Sequence, residues 1–410
     1  MDTKYPDVGR LQVSVASENV NVPLSDAVVR ISDITGNTVI DELRTDSSGQ
    51  TPAVDVPAPP LEYSVTPTDI RPYAEYNVTV RATDFQTFHI GGVQVLPNRT
   101  ALQSTVLKPI QAGGFNVHNL FVEPHTLWGD FPPKIPEDEV KPLPDSSGLV
   151  VLPKPVVPEF VIVHLGIPSD TSAQNVWVPF KDYIKNVASC EIYSTWETET
   201  IKANVLAILS FTMNRVFTEW YRGKGFSFTV TNSTAYDQAF DNGRNIFQEI
   251  SVIVDDLFTT YITREGIKQP LFTQYCDGRR TQCSGLSQWG SQDLGKQGYS
   301  AIEILKNFYG SDIFLTTAEK VAGVPRSYGG TVLELGSSGQ DVQTIQTQLN
   351  RIAVNFPAIP KVKVDSYFGE ETQKAVTEFQ KIFNLPQTGA VDFGTWYAIS
   401  NIYVGIMQMS

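Results

Sequence analysis

One acidic residue, Glu191, lies in the otherwise uncharged stretch SCEIYSTW at residues 189–196. A carboxyl group in a partly desolvated pocket can serve as a general acid or base, because burial raises its pKa toward neutrality. The simpler interpretation is a surface carboxylate near a helix start, where acidic side chains interact favourably with the helix dipole. That interpretation also suits Glu197 and Glu199, so these two are weaker catalytic candidates.

Cys190 adjoins Glu191 and raises a second hypothesis, a cysteine nucleophile paired with His164. A small buried thiol is, however, the common role of an isolated cysteine. The chain has three cysteines and four histidines, so chemistry that needs several imidazoles is hard to build. Cys276 and Cys283 could form a disulfide or, as a weak alternative, bind zinc, although the usual CxxC spacing is absent. We therefore expect no metal and no cofactor.

Composition limits the class of protein. With 410 residues, 41% hydrophobic and 18% charged, the chain is expected to be soluble and globular with more than one domain. The sequence has no apolar run of about 18 residues, so no membrane span is predicted. A secretory leader is expected to be absent or already removed. The net charge is −13, of which −9 falls in residues 1–150, and this disfavours a nucleic acid partner.

The first 110 residues predict an antiparallel β-sandwich. Residues 10–108 alternate short apolar runs with Gly, Asp and Asn turns, as in YNVTVRATD and FHIGGVQVL. This pattern resembles transthyretin-like and carboxypeptidase-regulatory-like modules, which are usually non-catalytic. A generic sandwich explains the pattern as well.

Residues 111–159 contain nine prolines, which cannot continue a helix or pair in a central strand. We therefore expect an extended linker that could lie on a neighbouring domain. Within it, PDSSGLVVLP combines small, flexible residues with aliphatic ones and suits proteolytic cleavage.

Residues 160–328 predict an α+β domain. EFVIVHLG is typical of a buried strand, and VWVPFKDYIKNVAS of a strand that leads into a helix. A long helix is expected in ETETIKANVLAILSFTMNRVFTEWYRG, with acidic residues in its first turn and Gly223 at its end. GFSFTVTNST and EISVIVDDLFTTYIT predict strands, and YSAIEILKNFYG predicts a short amphipathic helix.

Residues 329–410 predict three helices, with start signals at Ser338 or Gly339 and at Gly369 followed by Glu370. The segment closely resembles the type 1 peptidoglycan-binding module. The matching residues are Leu335, Gly339, Val342, Ile345, Gln346, Leu349, Asp365, Phe368, Gly369, Thr372, Ala375, Val376, Phe379, Gln380, Gly389, Val391, Asp392, Thr395 and Trp396. This resemblance implies that the protein docks on cell-wall glycan.

Two motifs of the middle segment, VPFKDYIKNVASCEIYSTW and SGLSQWGSQDLGKQGYSAIEILKNFYG, resemble the stage II sporulation protein D family. That family comprises peptidoglycan lytic transglycosylases and related amidase enhancers. The matching residues are Val178, Pro179, Tyr183, Glu191, Trp196, Gly285, Ser287, Gln288, Trp289, Gly290, Gly298, Tyr299, Ile304, Leu305 and Tyr309. Tyr193 replaces a family proline, and the family's G-H-G-V reads Thr281 to Ser284 without a histidine. The missing imidazole argues against a histidine-dependent metal site or proton relay.

Together, the β-rich front, the Pro-rich joint, the middle domain and the last module resemble the clostridial germination-specific spore cortex-lytic enzymes of SleC type. This resemblance implies a proenzyme held in the cortex or coat region of the spore, outside the core. It also implies activation by a subtilisin-like germination protease that cuts near Val150 and Val151. The implied substrate is cortex peptidoglycan that contains muramic δ-lactam.

The resemblance implies that Glu191 is the catalytic residue. Cleavage of the β-1,4 bond between MurNAc and GlcNAc needs an acid that protonates the leaving oxygen, and most glycosidases use a second carboxylate. A lytic transglycosylase can dispense with it, because the C6 hydroxyl of MurNAc attacks C1 of the same sugar and leaves a 1,6-anhydro end. The residues expected to bind sugar, hold Glu191 or simply fill the core are Ser287, Gln288, Trp289, Trp196 and Tyr193.

Other functions stay open. The chain could be a non-catalytic amidase enhancer or a wall-binding scaffold. An N-acetylmuramoyl-L-alanine amidase is less favoured because the histidines are few. The acidity of the front domain supports a separate hypothesis, that this domain restrains the enzyme until proteolysis.

Overall fold

The computed structural model describes residues 5–18, 22–110, 117–141, 154–320 and 332–408. Within them the chain has a β-rich front, a mixed α/β middle and a helical carboxyl-terminal region. Val150 and Val151, the predicted processing residues, lie outside the described residues. A helix both long and apolar enough to cross a bilayer is not found in the described part of the chain.

The front is built from two packed sheets. Its elements are β1 Asp7–Ser17, β2 Val28–Asp33, β3 Val39–Arg44, β4 Val54–Ala58, the short helix α1 Glu62–Val65, β5 Ala74–Arg81, β6 Thr87–Val95 and β7 Thr100–Leu107. One sheet contains β7-β1-β4 and the other β3-β2-β5-β6. Leu11, Val13 and Val15 alternate into the core along β1, as a half-buried strand requires.

The predicted antiparallel pairing holds for only part of this sandwich. β1 pairs with β7 in parallel. Between these two strands the chain passes through the second sheet, in β5 and β6. β1 and β4, in contrast, are antiparallel.

Residues 111–159, predicted as a linker, do more than connect two domains. After the gap at 111–116, β8 Val117–Phe121 joins the second sheet in parallel with β6. It can pair because the first proline of the segment is Pro124, which follows the strand. Residues 122–141, here named the strap, then lie against the middle region and bury His125 and Lys141.

A buried ion cluster fixes the strap. Glu137 accepts two hydrogen bonds from the guanidinium of Arg215, at 2.7 and 3.0 Å. Arg215 also pairs with Asp237 at 2.7 Å, and Lys141 Nζ lies 2.8 Å from Glu137. Burial alone would lower the pKa of Arg215, but Asp237 and Glu137 raise it above its ordinary value. Since buried charges need partners of this kind, the strap is tied to the middle region by more than apolar contact.

The middle region packs around one buried helix. Its elements are β9 Val156–Val157, β10 Phe160–His164, β11 Asn175–Pro179, α2 Phe180–Glu191, α3 Thr198–Phe217, β12 Val230–Thr231, β13 Ile246–Phe247, α4 Gln248–Leu257, β14 Thr260–Arg264, β15 Tyr275–Cys276, β16 Leu286–Ser287, α5 Gln288–Lys296, α6 Ala301–Tyr309, β17 Ile313–Thr317 and β18 Glu319–Lys320. α3 is buried on nearly all faces, as expected for a helix that is apolar all round. β10 and the passage from β11 into α2 agree with the sequence prediction.

The strand predicted from residue 249 onward is wrong in its first part. That segment forms α4, in which Ile250, Ile253 and Val254 follow the spacing of one helix face while Val252 stays 55% exposed. Only the end of the predicted run pairs as a strand, in β14. The β-branched composition of the run misled the assignment, since its periodicity is helical.

Front and middle share one hydrophobic core. β13 pairs with β7 of the front sheet, and Trp196 Nε1 donates a 2.9 Å hydrogen bond to the backbone oxygen of Ser64. Most buried apolar residues between Leu11 and Ile313 form one cluster, and those between Leu333 and Ile399 form another. A small third cluster of Phe160, Ile162, Tyr221 and Phe228 has Tyr403 of α9 packed against it. The exact domain boundaries, at 110, 159 and 328, stay predictions.

The carboxyl-terminal region contains α7 Gln340–Asn355, α8 Glu370–Ile382 and α9 Phe393–Gln408. Two buried glutamines organise the loops between them. Gln346 accepts hydrogen bonds from the backbone N–H groups of Asp365 and Ser366, at 3.1 and 3.0 Å. Gln380 accepts one from Gly389 at 2.9 Å. Each glutamine therefore fixes the loop that leads into the following helix.

Candidate active site

Glu191 is the last residue of α2 and is 4% exposed. Its Oε1 accepts hydrogen bonds from the backbone N–H of Ala239 at 2.9 Å and the hydroxyl of Tyr275 at 3.3 Å. Its Oε2 accepts from the hydroxyl of Thr126 and the amide of Gln288, both at 3.2 Å. These donors satisfy a carboxylate that would otherwise be costly to bury.

The second sequence motif supplies one of these donors and supports it. Gln288 opens α5, and its amide also donates to the backbone oxygen of Glu191 at 2.9 Å. Ser287 caps the same helix, since its hydroxyl accepts from the N–H of Gly290 at 3.0 Å. Of the two predicted support residues, Gln288 holds Glu191 and Ser287 starts the helix that presents Gln288.

Tyr275 is a donor that the sequence motifs did not indicate. Burial raises the pKa of Tyr275 well above its ordinary value. The phenol therefore stays protonated and can donate to Glu191. Tyr275 precedes the first disulfide cysteine, Cys276, and that position next to a constrained loop is the one signal that could have singled it out.

Glu191 borders a cleft with an empty volume of about 720 Å³. One wall is formed by strap residues between Thr126 and Lys134, and the other by residues between Tyr275 and Thr281. A concave space with a few convergent polar groups is the usual form of a ligand site. A ligand in this cleft would lie next to the Glu191 carboxylate.

Lys134 places a cation in the same cleft. Its ammonium donates to the backbone oxygen of Asp237 at 2.5 Å and lies 4.8 Å from the ring centroid of Tyr275. Burial lowers the pKa of Lys134, although the charge of Glu191 acts in the opposite direction. The strap therefore contributes both a hydroxyl and a cation to the surroundings of Glu191.

A disulfide between Cys276 and Cys283 closes the loop on the opposite wall. The weak prediction that these two sulfurs bind zinc is therefore wrong for this structure, because each is bonded to the other. The loop reaches across the cleft through Arg280, whose guanidinium donates to the backbone oxygens of Trp128 and Gly129. In the described residues, no cluster of three or more His, Cys, Asp or Glu suits a metal ion.

Two further carboxylates, Asp130 and Asp277, line the cleft. Asp277 accepts hydrogen bonds from the backbone N–H groups of Arg280 at 3.0 Å and Thr281 at 2.7 Å, so it shapes the disulfide loop. Asp130 is exposed on the strap. Sequence reasoning missed both. Asp277 could have been flagged by its position between two cysteines, whereas Asp130 carries no signal in a Pro-rich segment.

The predicted aromatic residues lie behind the cleft and not in it. Tyr193, Trp196 and Trp289 are 1%, 2% and 6% exposed. The rings of Trp196 and Trp289 are 5.0 Å apart, and Tyr193 lies 4.4 Å from the ring of His125. Burial lowers the pKa of His125 well below its ordinary value, so this imidazole is neutral. Of the two open interpretations for the tryptophans, the structure shows core packing.

Cys190 and His164 have separate surroundings. Cys190 is buried, its thiol lies 3.6 Å from Asn186 Oδ1, and burial raises the pKa of this thiol to about 12. His164 hydrogen-bonds Asn175 at 2.8 Å and the backbone oxygen of Ile167 at 3.1 Å. Both ring nitrogens of His164 are engaged, so it does not serve Cys190 as a base. The cysteine nucleophile hypothesis is therefore wrong for this pair.

Comparison with known proteins identifies the carboxyl-terminal region. The family described as "Putative peptidoglycan binding domain" matches residues 338–399. No curated relative matches the chain. The match contains α7 and α8 together with both loop-organising glutamines.

Solved structures match parts of the chain. The SleB N-terminal domain is 28% identical and covers 19% of this chain and 99% of its own, with a TM-score of 0.17. The minor pilin GBS52 of Streptococcus agalactiae is 15% identical and covers 27% of this chain and 48% of its own, with a TM-score of 0.20. The 5-hydroxyisourate hydrolase of Klebsiella pneumoniae is 13% identical, with coverages of 25% and 92% and a TM-score of 0.17. TM-scores this low support no inference about this chain.

The fold and the family match together define a multidomain cell-wall protein. Its carboxyl-terminal region carries a peptidoglycan-binding domain, so peptidoglycan is a partner. The front is rich in β-sheet and the middle is mixed α/β. The middle region holds the buried carboxylate and its cleft.

Proposed function

We propose that the protein is a peptidoglycan lytic transglycosylase that is made as a proenzyme and acts on spore cortex during germination. The observation that carries the proposal is the buried Glu191 carboxylate beside a cleft of about 720 Å³, in a chain that also has a peptidoglycan-binding domain. The substrate is the MurNAc-GlcNAc β-1,4 bond of cortex peptidoglycan that contains muramic δ-lactam. The place of action is the cortex or coat region of the spore, outside the core.

Glu191 acts first as an acid and then as a base in this reaction. Its proton goes to the glycosidic oxygen as the bond from that oxygen to C1 of MurNAc breaks. The C6 hydroxyl of the same MurNAc then bonds to C1 and returns its proton to Glu191, which leaves a 1,6-anhydro end. Tyr275 and Gln288 hold the carboxylate in place throughout.

The strap restrains the proenzyme in this proposal. It forms one wall of the cleft, and its Thr126 donates a hydrogen bond to Glu191. Arg280, from the opposite wall, donates a hydrogen bond to the strap backbone. The strap also precedes the predicted processing site at Val150 and Val151. A cut there by a subtilisin-like germination protease frees the strap at its carboxyl-terminal side, so that it can leave the cleft.

The test uses the full chain with the recognition sequence of an unrelated protease placed at residues 150–151. Cut and uncut protein are incubated with purified cortex, and the products are identified by mass spectrometry. We expect anhydro-muramyl products from cut protein and far fewer from uncut protein. Glu191→Gln, which keeps the side chain shape, lowers the yield by about a hundredfold or more. Glu197→Gln, an exposed carboxylate six residues along the chain, is the matched control and leaves the yield unchanged.

Other products would identify other functions. Reducing sugar ends that disappear in Asp130→Asn would indicate a two-carboxylate hydrolase, which the additional carboxylates of the cleft make a second candidate. Freed stem peptides would indicate an amidase. No cleavage by cut protein would favour an amidase enhancer or wall-binding scaffold. Equal activity of cut and uncut protein would contradict the proposal that the strap restrains the proenzyme.

A further inference from the structure

A second hollow lies on the front region beside the strap. Its empty volume is about 810 Å³. Three aromatic rings from separate segments line it, those of Tyr5, Tyr63 and Trp128, together with the charged side chains of Asp69 and Arg71. Each of the three rings is partly exposed. The hollow therefore combines aromatic side chains with charged ones.

The rings are held by fixed surroundings. Tyr63 belongs to α1, whose neighbouring residue Ser64 accepts the indole hydrogen bond of Trp196. Arg71 is paired with Glu75 at 2.5 Å, which fixes the guanidinium at the edge of the hollow. A site whose side chains are already fixed loses less entropy when a ligand binds.

Trp128 is fixed by a tight turn of the strap. The backbone oxygen of His125 accepts from the N–H groups of both Trp128 and Gly129, at 2.9 and 2.7 Å. A Cβ atom at Gly129 would lie 2.8 Å from the ring of Phe131 and 3.1 Å from Cβ of Pro124, so a larger residue there would displace the Phe131 ring. This turn places two consecutive residues at different sites, because Trp128 lines the hollow and Gly129 lines the Glu191 cleft.

The hollow and the cleft are therefore lined by neighbouring residues of the strap. A sugar ring offers an apolar C–H face to an aromatic ring and hydroxyl groups to charged side chains at its edge, which is the combination found here. Nucleic acid bases also stack on aromatic rings. The net charge of −13 and the −9 within residues 1–150 disfavour a polyanion, however.

We propose that this hollow is a saccharide-binding platform that holds a glycan strand of peptidoglycan next to the Glu191 cleft in the intact chain. The choice of ligand rests on the proposed function and on the peptidoglycan-binding domain of the same chain. The platform gives the front region a binding role of its own, in addition to any restraint by the strap.

The test follows Trp128 directly. The full chain with Glu191→Gln, which prevents cleavage, is labelled with fluorotryptophan and titrated with a soluble β-1,4-linked oligosaccharide of N-acetylglucosamine. Fluorine NMR separates the six tryptophans, and Trp128→Phe assigns the signal. We expect the Trp128 signal to shift in a saturable manner. Tyr63→Ala and, independently, Asp69→Ala each weaken that binding, Tyr63→Ala by about tenfold. Tyr299→Ala, which removes a 43% exposed ring elsewhere, leaves it unchanged.

Three results would overturn the platform. The Trp128 signal could stay unmoved while that of Trp396 shifts, which would place all sugar binding in the carboxyl-terminal domain. The Tyr299 control could weaken binding as much as Tyr63→Ala. A single-stranded oligonucleotide could move the Trp128 signal when the sugar does not. Because the titration needs no cleavage, it can fail while anhydro-muramyl products form, and succeed while none form.

Discussion

In both the carboxyl-terminal region and the middle region, buried polar side chains form hydrogen bonds, but the partners are separated by very different distances along the chain. Gln346 reaches Thr372 across 26 residues, and Gln380 reaches Thr395 across 15. Glu191, in contrast, accepts hydrogen bonds from Thr126, which lies 65 residues before it, and from Gln288, which lies 97 residues after it. A local arrangement leaves a compact motif in the sequence, whereas a site assembled from distant segments does not.

The same difference separates the hydrophobic cores. The carboxyl-terminal region buries its own cluster of apolar side chains, whereas the front and middle regions share one. A change in the shared core should therefore affect both of those regions and have a much smaller effect on the carboxyl-terminal region, whose Tyr403 packs against a small cluster of the middle region. Calorimetry of the full chain can separate the two unfolding transitions and test this difference.

The largest effect is expected for Arg215→Leu. The substitution removes the buried cationic partner of Asp237 and leaves Glu137 paired with Lys141. Breaking a buried ion pair from one side costs about 3–5 kcal/mol, so the front and middle should lose that much free energy of unfolding. The carboxyl-terminal transition should move far less.

The matched surface control is Lys381→Leu, which breaks a pair with Glu378 at a side chain that is 61% exposed. Exposed pairs contribute about 0–1 kcal/mol, so this change should be small. If Arg215→Leu shifted both transitions equally, the division into two cores would be wrong.

A smaller effect is expected for Gln380→Ala. Its loss leaves the N–H of Gly389 without its acceptor and removes a hydrogen bond to the backbone oxygen of Ala390, which keeps the one from Thr388. A buried polar group without a partner costs about 1–3 kcal/mol, so the carboxyl-terminal transition should fall by this amount. The transition of the shared core should stay in place. Gln340→Ala, at an exposed position of the same region, should change either transition by less than about 0.5 kcal/mol.

The sequence predicts the elements whose information is local. β10, the passage from β11 into α2, and the three carboxyl-terminal helices follow from periodicity and helix-start residues. α4 does not, because its β-branched residues favour a strand while their spacing fits a helix. The parallel pairing of β1 with β7 also escapes local patterns, since it depends on the path between the sheets.

The candidate site divides in the same way. Glu191 and Gln288 could be singled out because each lies in a motif, and the structure joins them at 3.2 Å. Thr126 and Lys134 could not, because a Pro-rich segment gives no indication of which side chains it turns toward a cleft. The contribution of the strap is a tertiary contact, fixed by the pair of Glu137 with Arg215 far along the chain.

The smallest effect is expected at Cys190, beside Glu191. Its thiol is buried and its pKa is raised to about 12, so near neutral pH it is protonated and a poor nucleophile. Cys190→Ser should leave the yield of cleavage products unchanged, and Cys190→Ala should lower stability by about 1 kcal/mol without affecting the chemistry. A thiol reagent should label Cys190 only after denaturation. If Cys190→Ser lost cleavage while its unfolding transitions stayed the same, the catalytic residue would be Cys190 and not Glu191.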